Sequence, residues 1–458
     1  MKIIYYSSPS FADCDFPLVA ALQRMGHDVR YYISITSFSK RSTLIDLKTL
    51  YPHTGIYPAT EIYPEFSEFH DLLDLSRVYV VNQKHKQKYH PVNLLLMMGM
   101  IIRFMLQKPD VIHLTRPPYL TQKLLYLIKR KLVLTVHDPF QHSGWANKKA
   151  EADRRMAFRH IPKLVLLNNR QRAAFASHYR MPDSHIFINK LGMYSAILHV
   201  EPQPFPTDRP FILFFGQIVE YKGVEYLLEA MKRLHSQYPE LMVVIAGGGR
   251  FYFDVEPYRR LDYVSIINRY ISVSELVGML RACEFAVCPY KDATQSGVVQ
   301  TAFTLGVPMV VTDVGALADA VEHGKTGIVV KPCDADQLAE GIITLYSDKK
   351  KLSWITFNVF RSHWLFTTKE IFVSDAPCAQ AITLIPLRPK VPNNLPAIPG
   401  VCFMFSPTIA TVAKPFSAVI RLISPISISF WNSRFSTSQA LSASSFRTPM
   451  EVLFSEEA

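Results

Sequence analysis

Long apolar runs are missing from this 458-residue chain. The nearest approach, residues 92–106, is interrupted by Asn93 and Arg103 and falls short of the roughly 20 residues that cross a bilayer. The opening stretch, Met1-Lys2-Ile3-Ile4-Tyr5-Tyr6-Ser7, is too short for the apolar core of a secretory signal and reads as a first strand. Cysteine is scarce: the six residues at 14, 283, 288, 333, 378 and 402 form no disulfide framework. Cys283 and Cys288 bracket an apolar strand and read as core residues. Helix-turn-helix spacing, zinc ligands and the aromatic-glycine signature of RNA binding are also absent, which argues against nucleic acid as a partner. These absences disfavour a secreted or integral-membrane protein and make the reduced cytoplasm the expected compartment. What is present, 49% hydrophobic and 19% charged residues, suits packed domains rather than a disordered chain.

The net charge of +12 is uneven. Residues 1–200 hold 27 Lys and Arg against 14 Asp and Glu, while residues 201–350 hold 14 against 19. A basic first half attracts a polyanion, and an anionic membrane surface or a phosphorylated substrate fits better than nucleic acid. A peripheral position at the inner face of a membrane is the corresponding expectation.

Short apolar runs alternate with helical patterns along both halves, the order of a parallel sheet covered by helices. Residues 40–90, rich in Tyr, Pro and His, read as a surface insertion. Four prolines within residues 201–210 read as a linker. The expected architecture is α/β: a Rossmann-like lobe at 1–200, the linker at 201–210, and a second Rossmann-like lobe at 211–350, the two facing a central cleft. From 351 the periodicity fades. Residues 352–458 hold 10 prolines, 15 serines and only 5 acidic residues. That stretch is expected to be an atypical, poorly structured tail, as translation outside the reading frame would produce.

The strongest chemical signal is Gly216-Gln217-Ile218-Val219-Glu220-Tyr221-Lys222-Gly223. An apolar strand ends at a glycine, a lysine arrives six residues on, and a glycine opens a helix. Such a turn lets backbone approach a ligand, and a lysine there sets a point charge on a diphosphate beside a helix start. A plain βα turn with a solvated lysine accounts for the same residues. The second signal, Asp292-Ala293-Thr294-Gln295-Ser296-Gly297-Val298, is a small-residue loop able to present amides to phosphate oxygens. A third, Gly247-Gly248-Gly249, follows a buried strand but lacks the spacing of a dinucleotide fingerprint.

In this order, these stretches resemble the retaining glycosyltransferases of group 1 (family four), with two Rossmann-like lobes in the GT-B arrangement. Ser272-Val273-Ser274-Glu275, Gly306-Val307-Pro308, Thr312-Asp313-Val314-Gly315 and Gly324-Lys325-Thr326-Gly327 add to the likeness, as do Lys108-Pro109-Asp110 and Val136-His137-Asp138 in the first half. The resemblance implies a nucleotide-diphosphate-sugar donor on the second lobe. Gly216, Gln217, Lys222, Gly223 and Gly248 would line it. Lys222 would contact the diphosphate, helped by amides of Ser296, Gly297 and Val298; Gln295 and Thr301 would also line the donor, and residues near Tyr270 and Ile271 would frame the base. His137 and Asp292 would act at the sugar. A glycan or lipid-linked acceptor would dock on the basic lobe, with no metal and no cofactor beyond the co-substrate. The sequence departs from the family where Gln217 replaces an arginine, and where Ala293 and Thr301 stand in place of two glutamates. A nucleotide-sugar epimerase of similar fold, or an inactive nucleotide-sugar-binding protein, are the alternatives.

Overall fold

A computed structural model describes residues 1–365 apart from 38, 40–43, 46–50, 88, 142–146 and 294–296. The first lobe interleaves eight strands with helices. Its elements run β1 (Lys2–Ser7), α1 (Ala12–Arg24), β2 (Asp28–Thr36), β3 (Gly55–Pro58), α2 (Ala59–Ile62), β4 (Val78–Gln83), α3 (Pro91–Leu106), β5 (Val111–Leu114), β6 (Leu132–Val136), α4 (Lys148–His160), β7 (Leu164–Leu166), α5 (Arg172–Tyr179) and β8 (Ile186–Ile188). They form one sheet in the order β3-β4-β2-β1-β5-β6-β7-β8. Only β3 runs antiparallel, on the edge. Along β1 alternate side chains go to opposite faces: Ile3 and Tyr5 pack with α1 residues such as Phe16, and Ile4 and Tyr6 pack with α3 residues such as Met97 and Phe104. Burial on both faces explains why the strands read as unbroken apolar runs.

The second lobe repeats the plan with β9 (Phe211–Phe215), α6 (Val224–Leu234), β10 (Met242–Ala246), α7 (Glu256–Arg259), β11 (Val264–Ile267), α8 (Val273–Ala282), β12 (Phe285–Cys288), α9 (Gly297–Thr304), β13 (Met309–Thr312), β14 (Gly327–Val330), α10 (Ala335–Tyr346) and α11 (Lys349–Leu365). Its parallel sheet has the order β11-β10-β9-β12-β13-β14, the doubly wound arrangement in which direction reverses between the first and fourth strands. Helix starts are written locally: Ser272 and Glu275 form a reciprocal capping box on α8, and Asp334 caps α10. Both lobes are thus Rossmann-like, as expected.

Two expectations need correction. Residues 40–90 are not merely a surface insertion, because β4 is an interior strand between β3 and β2 with Val78, Val80 and Val81 fully buried. The surrounding tyrosines, prolines and polar residues hid its short valine pattern. The fold also does not stop at 350. Helix α11 continues to Leu365, and Leu352, Ile355 and Val359 bury themselves in the second lobe's core. Their spacing of three and four is a helical stripe, but serine, threonine and asparagine replace charges around it, so it does not read as amphipathic. Residues 366–458 of the expected tail lie outside the described residues.

Candidate functional site

In a doubly wound sheet, ligands bind beyond the carboxyl ends of the strands where the order reverses. In the second lobe that point lies between β9 and β12, and the loops leaving these two strands are residues 216–223 and 289–296. Both chemical signals of the sequence therefore flank one crevice.

The first loop is built around glycines that no other residue could replace. Gly216 has φ +116°, and a Cβ there would lie 2.8 Å from Lys222 Nζ and 3.8 Å from Val298 Cγ2. Gly216 and Lys222 of the first loop thus meet Val298, far away in sequence, at one point. Gly223 has φ +62°, and its Cβ would fall 2.1 Å from the Pro289 carbonyl oxygen, so only glycine lets the two loops touch. Gly247, at φ +152°, is packed so that a Cβ would meet the Gly216 carbonyl oxygen at 1.9 Å. Gly247 was not singled out alone in the sequence; its run of three glycines was the available signal.

Lys222 is only 8% exposed, and its ammonium lies over the Tyr290 ring at 5.1 Å. Burial pulls its pKa down from 10.5 to about 8, because a desolvated cation is disfavoured. A cation held dry beside a glycine turn is chemically suited to pair with an anion. Tyr290 is the residue missed in the sequence: nothing in the pattern shows that its ring would carry the lysine. Next to it, Lys291 donates to Glu225 Oε1 at 3.0 Å, and Tyr252 donates to the other oxygen of that carboxylate. Lys291 is therefore a structural partner of α6.

At α9, Gly297 and Val298 open the helix, and the Gly297 position is covered by Tyr194, whose hydroxyl would be 2.8 Å from a Cβ. Thr301 lies one turn in, and its hydroxyl donates to the Gly297 carbonyl at 2.9 Å, so its proton is committed to its own helix. Gln295 and Ser296 lie outside the described residues. Gln217 is exposed on the first loop.

Gly248 touches the backbone of Arg269 and Tyr270, with a Cβ position 3.4 Å from the Arg269 carbonyl carbon. Arg269 forms a two-pronged pair with Glu275 at 2.6 and 3.1 Å, which holds that carboxyl down to about 2 and fixes the segment leading to Tyr270 and Ile271. Tyr270 is 40% exposed and Ile271 half-buried, a flat apolar ledge on the β11 side of the crevice.

From the first lobe, His137 follows β6 and stacks on Phe11 at 4.3 Å. Burial lowers its pKa to about 4, against the opposing pull of Asp138, so the ring is neutral at pH 7. Behind it His113 shares a 2.7 Å hydrogen bond with Thr135 and is held down to about 3, by burial first and by His137 second. The Tyr221 phenol is pushed up to about 12 by burial and then by the carboxylates of Asp138 and Asp292. Asp138 at the end of β6 and Asp292 on the second loop thus both lie within electrostatic reach of Tyr221. Among the described residues no three His, Cys, Asp or Glu side chains stand close enough to hold a metal ion, and none of the described helices is long and apolar enough to cross a membrane.

Comparison with known proteins bears on the family and the fold. Residues 198–356 match the family described as glycosyl transferases group 1. The alpha-D-kanosaminyltransferase of Streptomyces kanamyceticus is 32% identical over 144 residues, covering 31% of this chain and 37% of that protein. The D-inositol 3-phosphate glycosyltransferase of Arthrobacter sp. (strain FB24) is 28% identical over 200 residues, covering 41% of this chain and 48% of its own length. These matches thus span less than half of either relative. Among solved structures, sucrose-phosphate synthase from Thermosynechococcus elongatus superposes with a TM-score of 0.55 at 15% identity, covering 80% of this chain and 94% of that one. Anabaena Alr3699/HepE in complex with UDP-glucose does so with a TM-score of 0.55 at 14% identity, covering 79% and 94%. At such identities the superpositions carry the two-lobed GT-B fold alone.

Proposed function

We propose that this chain, a group 1 glycosyltransferase by the match of its second lobe, moves a sugar from a nucleotide-diphosphate donor to a glycan or lipid-linked acceptor with retention at the anomeric carbon. The observation that carries this reading is the meeting of Gly216, Lys222 and Val298 at the point where the second sheet reverses. The UDP-glucose in the Anabaena structure is of the same ligand class.

In the proposed reaction the bond between the anomeric carbon and the diphosphate breaks as the acceptor oxygen bonds to that carbon. The acceptor's proton leaves with the departing diphosphate. Negative charge grows on the leaving oxygen, and a positioned cation in a dry crevice stabilises it without reorganisation. Lys222 supplies that charge, the amides at the start of α9 supply hydrogen bonds, and no metal ion or further cofactor is needed. His137, neutral at pH 7, is suited to hydrogen-bond a sugar hydroxyl rather than to pair with phosphate. Asp292 would steady the developing positive charge on the sugar. Tyr270 and Ile271 provide the ledge for the base.

The test is to incubate the full chain with a panel of labelled nucleotide sugars and follow nucleotide release with and without membrane extract. Acceptor-dependent release by the wild type and not by Lys222→Ala is expected. Conversion of the sugar without an acceptor would instead indicate an epimerase. Binding without turnover for every donor and acceptor would indicate a binding protein.

A further inference from the structure

The outward side of α3 does not behave like the surface of a soluble helix. Asn93, Met97, Met100, Ile101 and Phe104 are buried against the first sheet. On the opposite side, Val92, Leu95, Met98, Ile102, Met105 and Leu106 are between 41% and 76% exposed. Their spacing is helical, so they form one continuous apolar stripe. No described residue covers it. Scattered exposed apolar side chains need no explanation, whereas a contiguous stripe marks an interaction surface.

Charge identifies the partner. Between residues 75 and 137 the sequence holds 11 Lys and Arg and one acidic residue, Asp110. Five of these cations border the stripe and are exposed: Lys84 and Lys86 before the first turn of α3, Lys108 just after its end, and Lys129 and Arg130. The last two belong to the turn of 3-10 helix over Leu120–Lys131 that packs on α3. Lys131 ties the two ends together by donating to the Pro109 carbonyl at 2.7 Å, and the neighbouring Leu127 is 77% exposed. An apolar helix face rimmed by lysine and arginine, with almost no carboxylates, is the pattern that settles into an anionic lipid surface.

We propose that α3 is a membrane-docking helix that lays its outward face on an anionic bilayer, with the flanking cations on the lipid headgroups. The inference stands on the first lobe alone and does not depend on the transferase reading.

The test is flotation of the full chain with phosphatidylcholine vesicles, with or without phosphatidylglycerol. Flotation only with the anionic vesicles, and its loss in high salt, is expected. Leu95→Ser/Ile102→Ser and Lys84→Glu/Lys108→Glu should each weaken partition about tenfold or more, with unchanged thermal melting showing that both still fold. Met98→Trp should have its fluorescence quenched by brominated lipid, an independent readout that does not rely on loss of binding. The proposal is overturned by no flotation, by equal flotation with neutral vesicles, or by an unquenched Met98→Trp. A chain that runs as a dimer and becomes a monomer on Leu95→Ser/Ile102→Ser would also overturn it, since a second copy would then cover the stripe.

Discussion

Lys222 is the residue on which the proposed chemistry turns, and its burial makes its behaviour testable. The ammonium is the proton-bound form, and burial lowers the pKa to about 8. Free protein therefore loses this charge as the pH rises through about 8, and a bound diphosphate pulls the pKa back up. Nucleoside-diphosphate affinity should fall above pH 8 by up to about tenfold per pH unit. In Lys222→Ala that slope should vanish, and affinity at pH 7 should drop about ten- to a hundredfold, the range for a lost charged hydrogen bond. Calorimetric titrations across pH measure both. His137 makes a different prediction. Its imidazole should titrate near 4 by NMR, not in the usual range of a histidine switch. In the first lobe Asp15 accepts from Tyr5 at 2.7 Å and from Tyr31 at 3.2 Å, yet burial still raises it to about 7. A raised carboxyl pKa favours the fold at low pH, and that contribution is lost as the pH rises through about 7. An infrared carboxyl band that disappears near neutral pH, and is missing in Asp15→Asn, would report it.

At the scale of elements, two packing joints carry most of the risk. Gly278 in α8 lies under the linker, and a Cβ there would be 1.7 Å from the Gln203 carbonyl oxygen. Because the obstacle is backbone, Gly278→Ala should destabilise by about 2 kcal/mol or more, read as a shift in the urea midpoint. Ile355, fully buried from α11, should cost about 2–5 kcal/mol when cut to alanine. The latter also shows why sequence reading stopped too early. Helix α11 has its apolar stripe, but Ser353, Thr356 and an exposed Trp354 occupy the positions where charges normally announce a helix. Central strands such as β1, β6, β9 and β12, by contrast, were legible because they are buried on both faces and read as short apolar blocks between turn residues. Gly216, Lys222 and Gly223 were legible for a similar reason: a glycine at positive φ and a lone lysine leave a one-dimensional trace. The ring of Tyr290 under Lys222, and the approach of Asp138 to Tyr221, leave none, since they arise only when distant segments fold together.

At the scale of the whole molecule, the described contacts between the two lobes include both buried and exposed groups. Tyr194, on the chain leaving the first lobe, donates its amide to Thr304 Oγ1 at 3.2 Å. Arg170 of the first lobe donates to the Gly315 carbonyl and lies 3.9 and 3.5 Å from the carboxylates of Asp313 and Asp319. These are exposed partners, and such pairs contribute little to stability, at most about 1 kcal/mol. Arg170→Ala should accordingly leave the melting temperature nearly unchanged while loosening the lobe closure, seen as a larger radius of gyration in small-angle scattering. The proposed reaction needs both lobes at once: the second would supply a cation and amides, and the first His137 and the basic surface. The measurement that tests this most directly is a crystal structure of the full chain soaked with a nucleotide-diphosphate sugar. The account predicts the diphosphate against Gly216, Lys222 and the start of α9, with the sugar toward His137. A ligand bound away from the β9–β12 reversal, or a crevice that stays empty at saturating donor, would contradict it.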